Sequence, residues 1–158
     1  MKKLYLVLIA VCMLLTVRQS EAQDRKFGLG VMLGEPTGLS AKLWTSSSNA
    51  LAFGLGWSTY HPRYDDNGLR IHAHMDYLWH SFDSIKSEEQ FVLHYGVGVR
   101  FKDRGSDNGS LALRGVGGIN WLPRNMPIDV FLELAPSLEL TPSTGFGLDA
   151  ALGARFYF

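Results

Sequence analysis

From Gly145 to Phe158 the chain alternates: Phe146, Leu148, Ala150, Leu152, Ala154, Phe156 and Phe158 fall on one face, and Gly147, Asp149, Ala151, Gly153, Arg155 and Tyr157 on the other. Side chains of a strand point alternately to its two faces, so this segment predicts a β-strand with one apolar face and one face that carries a carboxylate and a guanidinium. The same alternation recurs upstream between turn signals, giving seven further strands. The first runs about Phe27 to Gly34, and the turn Glu35-Pro36-Thr37-Gly38 leads to a second with Leu39, Ala41 and Leu43. Ser46 to Asn49 turns into a third, where Leu51, Phe53, Leu55 and Trp57 oppose Ala52, Gly54, Gly56 and Ser58. After the polar loop Thr59 to Asn67, a fourth sets Ile71, Ala73, Met75, Tyr77 and Trp79 against Arg70, His72, His74, Asp76 and His80. A fifth sets Phe91, Leu93, Tyr95, Val97, Val99 and Phe101 against Val92, His94, Gly96, Gly98 and Arg100. The loop Lys102 to Ser110 precedes a sixth, about Leu111 to Trp121, and a seventh sets Ile128, Val130, Leu132 and Leu134 against Asp129, Phe131, Glu133 and Ala135.

An open sheet edge cannot sit in hydrocarbon, because its N–H and C=O groups find no partners there, so lipid-facing strands belong to a closed barrel. An even strand count with both termini on one side, and segments of about ten residues tilted near 45°, suit a single-chain bacterial barrel. Aromatic residues near predicted strand ends, among them Phe27, Trp44, Trp57, Tyr77, Trp79, Phe101, Trp121, Phe146 and Phe156, match two interfacial girdles. The expected fold is all-β: an eight-stranded antiparallel up-and-down transmembrane β-barrel. Inverting a barrel preserves its period, so a secreted soluble ligand-binding barrel is the rival. The second face separates the two. A soluble exterior is covered in Lys and Glu, whereas this face is mostly Gly, Ala and Ser with a few charges of both signs, a set suited to filling a narrow lumen.

The amino terminus supplies an address. Lys2 and Lys3 precede an apolar run from Leu4 to Leu15, and Ser20-Glu21-Ala22 presents small residues for cleavage before Gln23. Residues 1–22 are expected to be a secretory signal peptide and residues 23–158 one outer-membrane barrel domain, since the apolar run is shorter than the roughly 20 residues of a spanning helix. Cys12 leaves with the signal, and the mature chain then has no cysteine for disulfides or metal. With a formal net charge of +0 over the whole chain and no basic patch, nucleic-acid binding is not expected.

The inward face holds the candidate chemistry. Lys42, Arg70, Arg100, Arg114 and Arg155 share it with Asp76, Asp129, Glu133, Glu139 and Asp149. Buried charges persist when paired and hydrogen-bonded, so an internal salt-bridge network closing the lumen is expected rather than a single-sign ion path. His72 and His74 share a face, and a hairpin through Ser81 to Glu89 would bring His94 alongside His74. Three imidazoles would then be candidates for a divalent metal, with lumen hydrogen bonding as the alternative. In the second outer loop, Ser58, His61, Asp65 and Asp66 are candidates for a nucleophile, base and orienting group, although no nucleophile motif surrounds Ser58. The same loop, through Tyr60, Arg63 or Tyr64, and the Lys102 to Ser110 loop are the places where a ligand would bind. No cofactor is expected.

On these residues the chain resembles the small eight-stranded outer-membrane barrels typified by the OmpA transmembrane domain and OmpX. The resemblance covers the mature chain and is architectural. Its most specific parts are the terminal Arg155-Phe156-Tyr157-Phe158, similar to the strand that outer-membrane assembly machinery recognises, and the turn Gly34-Glu35-Pro36-Thr37-Gly38-Leu39-Ser40, which resembles the first hairpin of a subgroup of short barrels without an assigned activity. The resemblance implies a bacterial outer-membrane location and assembly through Phe156 and Phe158. It also implies lipopolysaccharide, periplasmic chaperones and the barrel-assembly machinery as partners, with a structural or envelope-maintenance role. Known barrels of this size also modify lipid A, so an acyl hydrolase or transferase is the enzymatic alternative. Loss of acyl chains from lipid A on expression, abolished by His61→Ala, is its expected signature. The surface loops are shorter than those of adhesin-like members.

Overall fold

The computed structural model describes residues 25–58, 70–82, 84–85, 89–103 and 109–158. The signal segment 1–22 and the candidates His61, Asp65 and Asp66 lie outside the described residues, as do the side chains of Ser58 and Arg70. Every described element is a strand: β1 (Phe27–Gly34), β2 (Thr37–Trp44), β3 (Asn49–Ser58), β4 (Arg70–Ser81), β5 (Gln90–Asp103), β6 (Gly109–Leu122), β7 (Ile128–Thr141) and β8 (Gly145–Tyr157). Each pairs antiparallel with its chain neighbours, and β8 returns to β1, closing an eight-stranded barrel. The closing seam runs from Gly28 opposite Tyr157 to Gly34 opposite Ala151. The amide of Phe158 donates to the Phe27 carbonyl at 3.0 Å, carrying the pairing one residue past β8.

The β1–β2 turn is tight because its residues meet the backbone demands. Gly34 takes φ of 124°, a left-handed conformation that costs glycine little. The Thr37 hydroxyl donates to the Gly34 carbonyl at 3.0 Å, and the Glu35 amide donates across the seam to Ala150 O at 2.9 Å. The β5–β6 hairpin is longer than its sequence suggests. Lys102 pairs with Ser110 and Asp103 with Gly109, so Lys102, expected in a loop, belongs to β5. A register shift between Leu111 and Ala112 marks a bulge against β7, whose ladder extends to Thr141.

The polarity of the barrel is inverted relative to a water-soluble protein. One outward row runs through Leu29, Ala41, Phe53, Met75, Val99, Leu113, Leu138 and Phe146, crossing all eight strands by direct pairing. Another joins Leu33, Leu152, Leu132, Ile119 and Leu93. Most of these residues are well exposed, from 37% at Phe53 to 90% at Phe146, with Ala41, Ile119 and Leu138 half-buried. Inside, the apolar contribution is small: Ala52, Leu78, Val116 and Ala135 form one cluster, and Met32, Phe131 and Ala151 another. Charged and hydrogen-bonding side chains occupy the remaining interior. Trp44 is an exception to the girdle expected from sequence. It shares the inward parity of Ser40 and Lys42, and its ring lies 4.6 Å from the Lys42 ammonium.

Candidate functional site

Strand alternation points the even-numbered positions of β4, β5, β6 and β2 and the odd-numbered positions of β7 and β8 into the lumen. Eight strands leave an interior just wide enough for side chains, so residues from opposite walls meet. The charges sort into three layers.

At the end where Phe27 and Phe158 meet, Asp129 is fully buried and collects three donors. Lys42 Nζ lies at 3.3 Å, Arg155 reaches both carboxylate oxygens at 3.3–3.4 Å, and the Tyr157 hydroxyl donates at 2.9 Å. Arg155 Nε also donates to Ser40 Oγ at 2.8 Å, and its guanidinium sits 3.7 Å from the Phe131 ring centroid. At the opposite end, Arg100 donates to Ser137 Oγ at 2.8 Å, Asp149 Oδ2 at 2.7 Å and Glu139 Oε1 at 3.0 Å. Lys102 adds Asp149 at 3.1 Å and Glu35 at 3.0 Å, tying β5 to β8 and to the β1–β2 turn. In the middle, Arg114 bridges Asp76, with Nε 3.1 Å from Oδ1, and Glu133, with Nη2 3.4 Å from Oε1.

Four histidines line the same lumen. His74 Nδ1 lies 3.3 Å from His72 Nε2, and His72 Nδ1 lies 3.6 Å from Glu35 Oε1. His80 faces the Ser48 carbonyl at 3.1 Å, and its ring centroid lies 4.3 Å from that of Trp44 with the planes tilted by 47°. His94 stands across from His80, and His74 pairs with Arg100, so the placement of His94 alongside His74 expected from sequence is corrected. Any even shift of the β4–β5 register keeps the apolar face outward, so alternation could not distinguish the two pairings. The three imidazoles therefore do not form one ligand set.

Of the other residues singled out in sequence, Asp76, Arg114 and Glu133 meet in one layer, Asp129 and Arg155 in a second, and Arg100 and Asp149 in a third. Arg70 is placed only by its backbone, opposite Ser58. Phe156 faces outward on β8, and its ring meets Phe158 edge to face at 5.2 Å. Two members of the network escaped the sequence analysis. Lys102 shares the parity of Arg100 and was discernible had the alternation been followed two residues further. Glu35 lies in a turn, where parity gives no signal.

Ion pairs crossing the lumen at three levels join β2, β4, β5, β6, β7, β8 and the β1–β2 turn by contacts between residues far apart in sequence. Each charge is compensated locally, the condition under which burial of an ion is tolerated. Comparisons with protein-family models, with curated proteins and with solved structures found no match.

Proposed function

We propose that this chain is an integral outer-membrane β-barrel of the small OmpA- and OmpX-like type, structural or envelope-maintaining in role, with a lumen closed by ion pairs. The observation that carries it is the inverted polarity: continuous outward rows of Leu, Val, Phe and Met around a closed barrel whose interior holds Lys42, Arg100, Arg114, Arg155 and their carboxylates. Ten residues rising about 3.3 Å each and tilted near 45° cover roughly the 25 Å apolar band of such a membrane. The leader pattern of residues 1–22 supports export. The aromatic Phe156 and Phe158 at the carboxy-terminal strand fit recognition by barrel-assembly machinery, with periplasmic chaperones upstream and lipopolysaccharide as the outer lipid contact. Three layers of paired charge leave no single-sign column of groups to select and pass an ion.

Heat modifiability tests this. The full chain is expressed with its leader, outer membranes are isolated, and mobility on a gel is compared with and without boiling. A faster unboiled band in that fraction is expected, together with no conductance steps when the extracted protein is added to a planar bilayer. A soluble periplasmic protein without the shift would overturn the membrane reading, and well-defined channels would overturn the closed lumen.

A further inference from the structure

The middle layer of the lumen has a donor arrangement that ion pairing alone does not explain. One potential ligand atom from each of His74, Asp76 and Glu133 lies within 4.8 Å of the other two, and all three residues are buried. The shortest contacts of Arg114 are to Oδ1 of Asp76 and Oε1 of Glu133. The other oxygens face imidazoles: Asp76 Oδ2 is 3.8 Å from His74 Nε2, and Glu133 Oε2 is 3.7 Å from His94 Nε2. Those separations are too long for hydrogen bonds. They are close to the roughly 3.3–3.5 Å between donors that share one tetrahedral ion at bond lengths of about 2.0–2.2 Å.

Three further observations point to the same place. His94 is only 3% exposed, yet neither ring nitrogen has a hydrogen-bond partner, a costly state for a buried polar group. His74 places its Nδ1 against His72, so that a proton held there leaves Nε2 with its lone pair toward Asp76, as in ligating histidines oriented by an outer partner. Glycines lie opposite the three β4 and β5 members: Gly54 opposite His74, Gly98 opposite Asp76, and Gly118 opposite both His94 and Glu133. A Cβ at Gly118 would stand 2.6 Å from His94 Cε1, and Cβ atoms at Gly54 and Gly98 would overlap the His74 ring and the Asp76 carboxylate. Neighbouring strands thus give up side chains where these groups project.

We propose that His74, Asp76 and Glu133 bind one divalent transition-metal ion of zinc-like preference at the centre of the lumen, with Arg114, His72 and His94 as positioning residues around them. One imidazole and two carboxylates are borderline nitrogen and oxygen donors of the kind such an ion takes, and three protein donors leave a fourth position for water. Asp76 and Glu133 share the Arg114 cation, and a divalent ion supplies the further positive charge that two carboxylates on one cation call for. The ion would join β4 and β7 across the barrel, and His94 would stand behind Glu133.

The test uses the full chain, untagged and expressed with its leader, taken from whichever fraction contains it and checked for folding by the gel shift or by circular dichroism. The protein is incubated with Zn2+, desalted, and its metal content measured by mass spectrometry; a parallel sample receives Co2+ and its visible spectrum is recorded. About one equivalent of retained Zn2+ and intense tetrahedral Co2+ bands are expected, with His74→Gln and Glu133→Gln each lowering retention roughly tenfold or more and His80→Gln leaving it unchanged. Folded unsubstituted protein that loses its metal on desalting overturns the site, as does undiminished retention in both His74→Gln and Glu133→Gln. The Co2+ spectrum needs no variant, so a substitution that prevents folding leaves the decision to it: weak octahedral absorption that washes out also overturns the site. Retention is measured whether the chain is found in membranes or in solution, so failure of the outer-membrane proposal and failure of the metal site are separate results.

Discussion

Asp129→Ala is expected to destabilise the folded barrel by about 3–5 kcal/mol, the range for removing one partner from a buried ion pair. The carboxylate is inaccessible to solvent and is held by Lys42, Arg155 and Tyr157. Its loss leaves an ammonium and a guanidinium facing each other in a narrow interior, without the anion that made their burial tolerable. Asp129→Asn separates charge from hydrogen bonding, because an amide oxygen still accepts from Tyr157 while the charge is gone; most of the loss should therefore persist. Tyr157→Phe removes one hydrogen bond to a charged group, for which a cost of roughly 1.5–3 kcal/mol is typical. The series is measured by urea unfolding in detergent or lipid vesicles, read by fluorescence, with Trp44 beside Lys42 as a local reporter. A loss below about 1 kcal/mol for Asp129→Ala would mean that water reaches this end of the lumen and solvates both cations, placing the pair in the weak class of exposed salt bridges.

That network shows how far alternation carries a reading of this chain. The parity of β7 and β8 places Asp129, Glu133, Asp149 and Arg155 on the same side as their small neighbours, because a period of two leaves only one way to turn the apolar residues outward. The bounds of β1 likewise follow from Phe27 and from Gly34, whose positive φ ends the strand. Pairing register is a different matter. The distance between His94 and His74 depends on how many residues of β4 and β5 are spent in the connecting turn, and the apolar face is indifferent to an even shift. The middle layer, with His94 near Glu133 rather than His74, was hidden for that reason. Glu35 was hidden for another: a turn residue has no strand parity, and its contact with Lys102 exists only because the narrow barrel brings the β1–β2 turn against β5.

Leu152→Arg is expected to cost about 2–4 kcal/mol in a bilayer, the penalty for a basic residue on the lipid face near the midplane of a transmembrane barrel. Leu152 lies near the middle of β8, 52% exposed, with Leu33 opposite it on β1 and Leu132 on β7. Both neighbours are more than half exposed, so the guanidinium would enter a continuous apolar surface with no carboxylate beside it. Leu152→Asp is expected to cost less than Leu152→Arg, as acidic residues do on such surfaces, and Leu152→Ala less again, since lipid chains fill the space that the side chain vacates. The sign of the effect separates two barrels of identical pairing. Were this exterior in water, as in a secreted soluble barrel, Leu152→Arg would be an ordinary surface substitution, within about 0.5 kcal/mol of neutral. Reversible unfolding from lipid vesicles gives the magnitude, and the amount of heat-shifted protein in the membrane fraction gives the consequence for assembly. A neutral Leu152→Arg with undiminished membrane levels would show that the row from Leu33 through Leu152 to Leu132 does not face hydrocarbon. Arg155, three residues further along the same strand, already shows the opposite parity: a guanidinium accepted without solvent because Asp129 and Ser40 meet it inside.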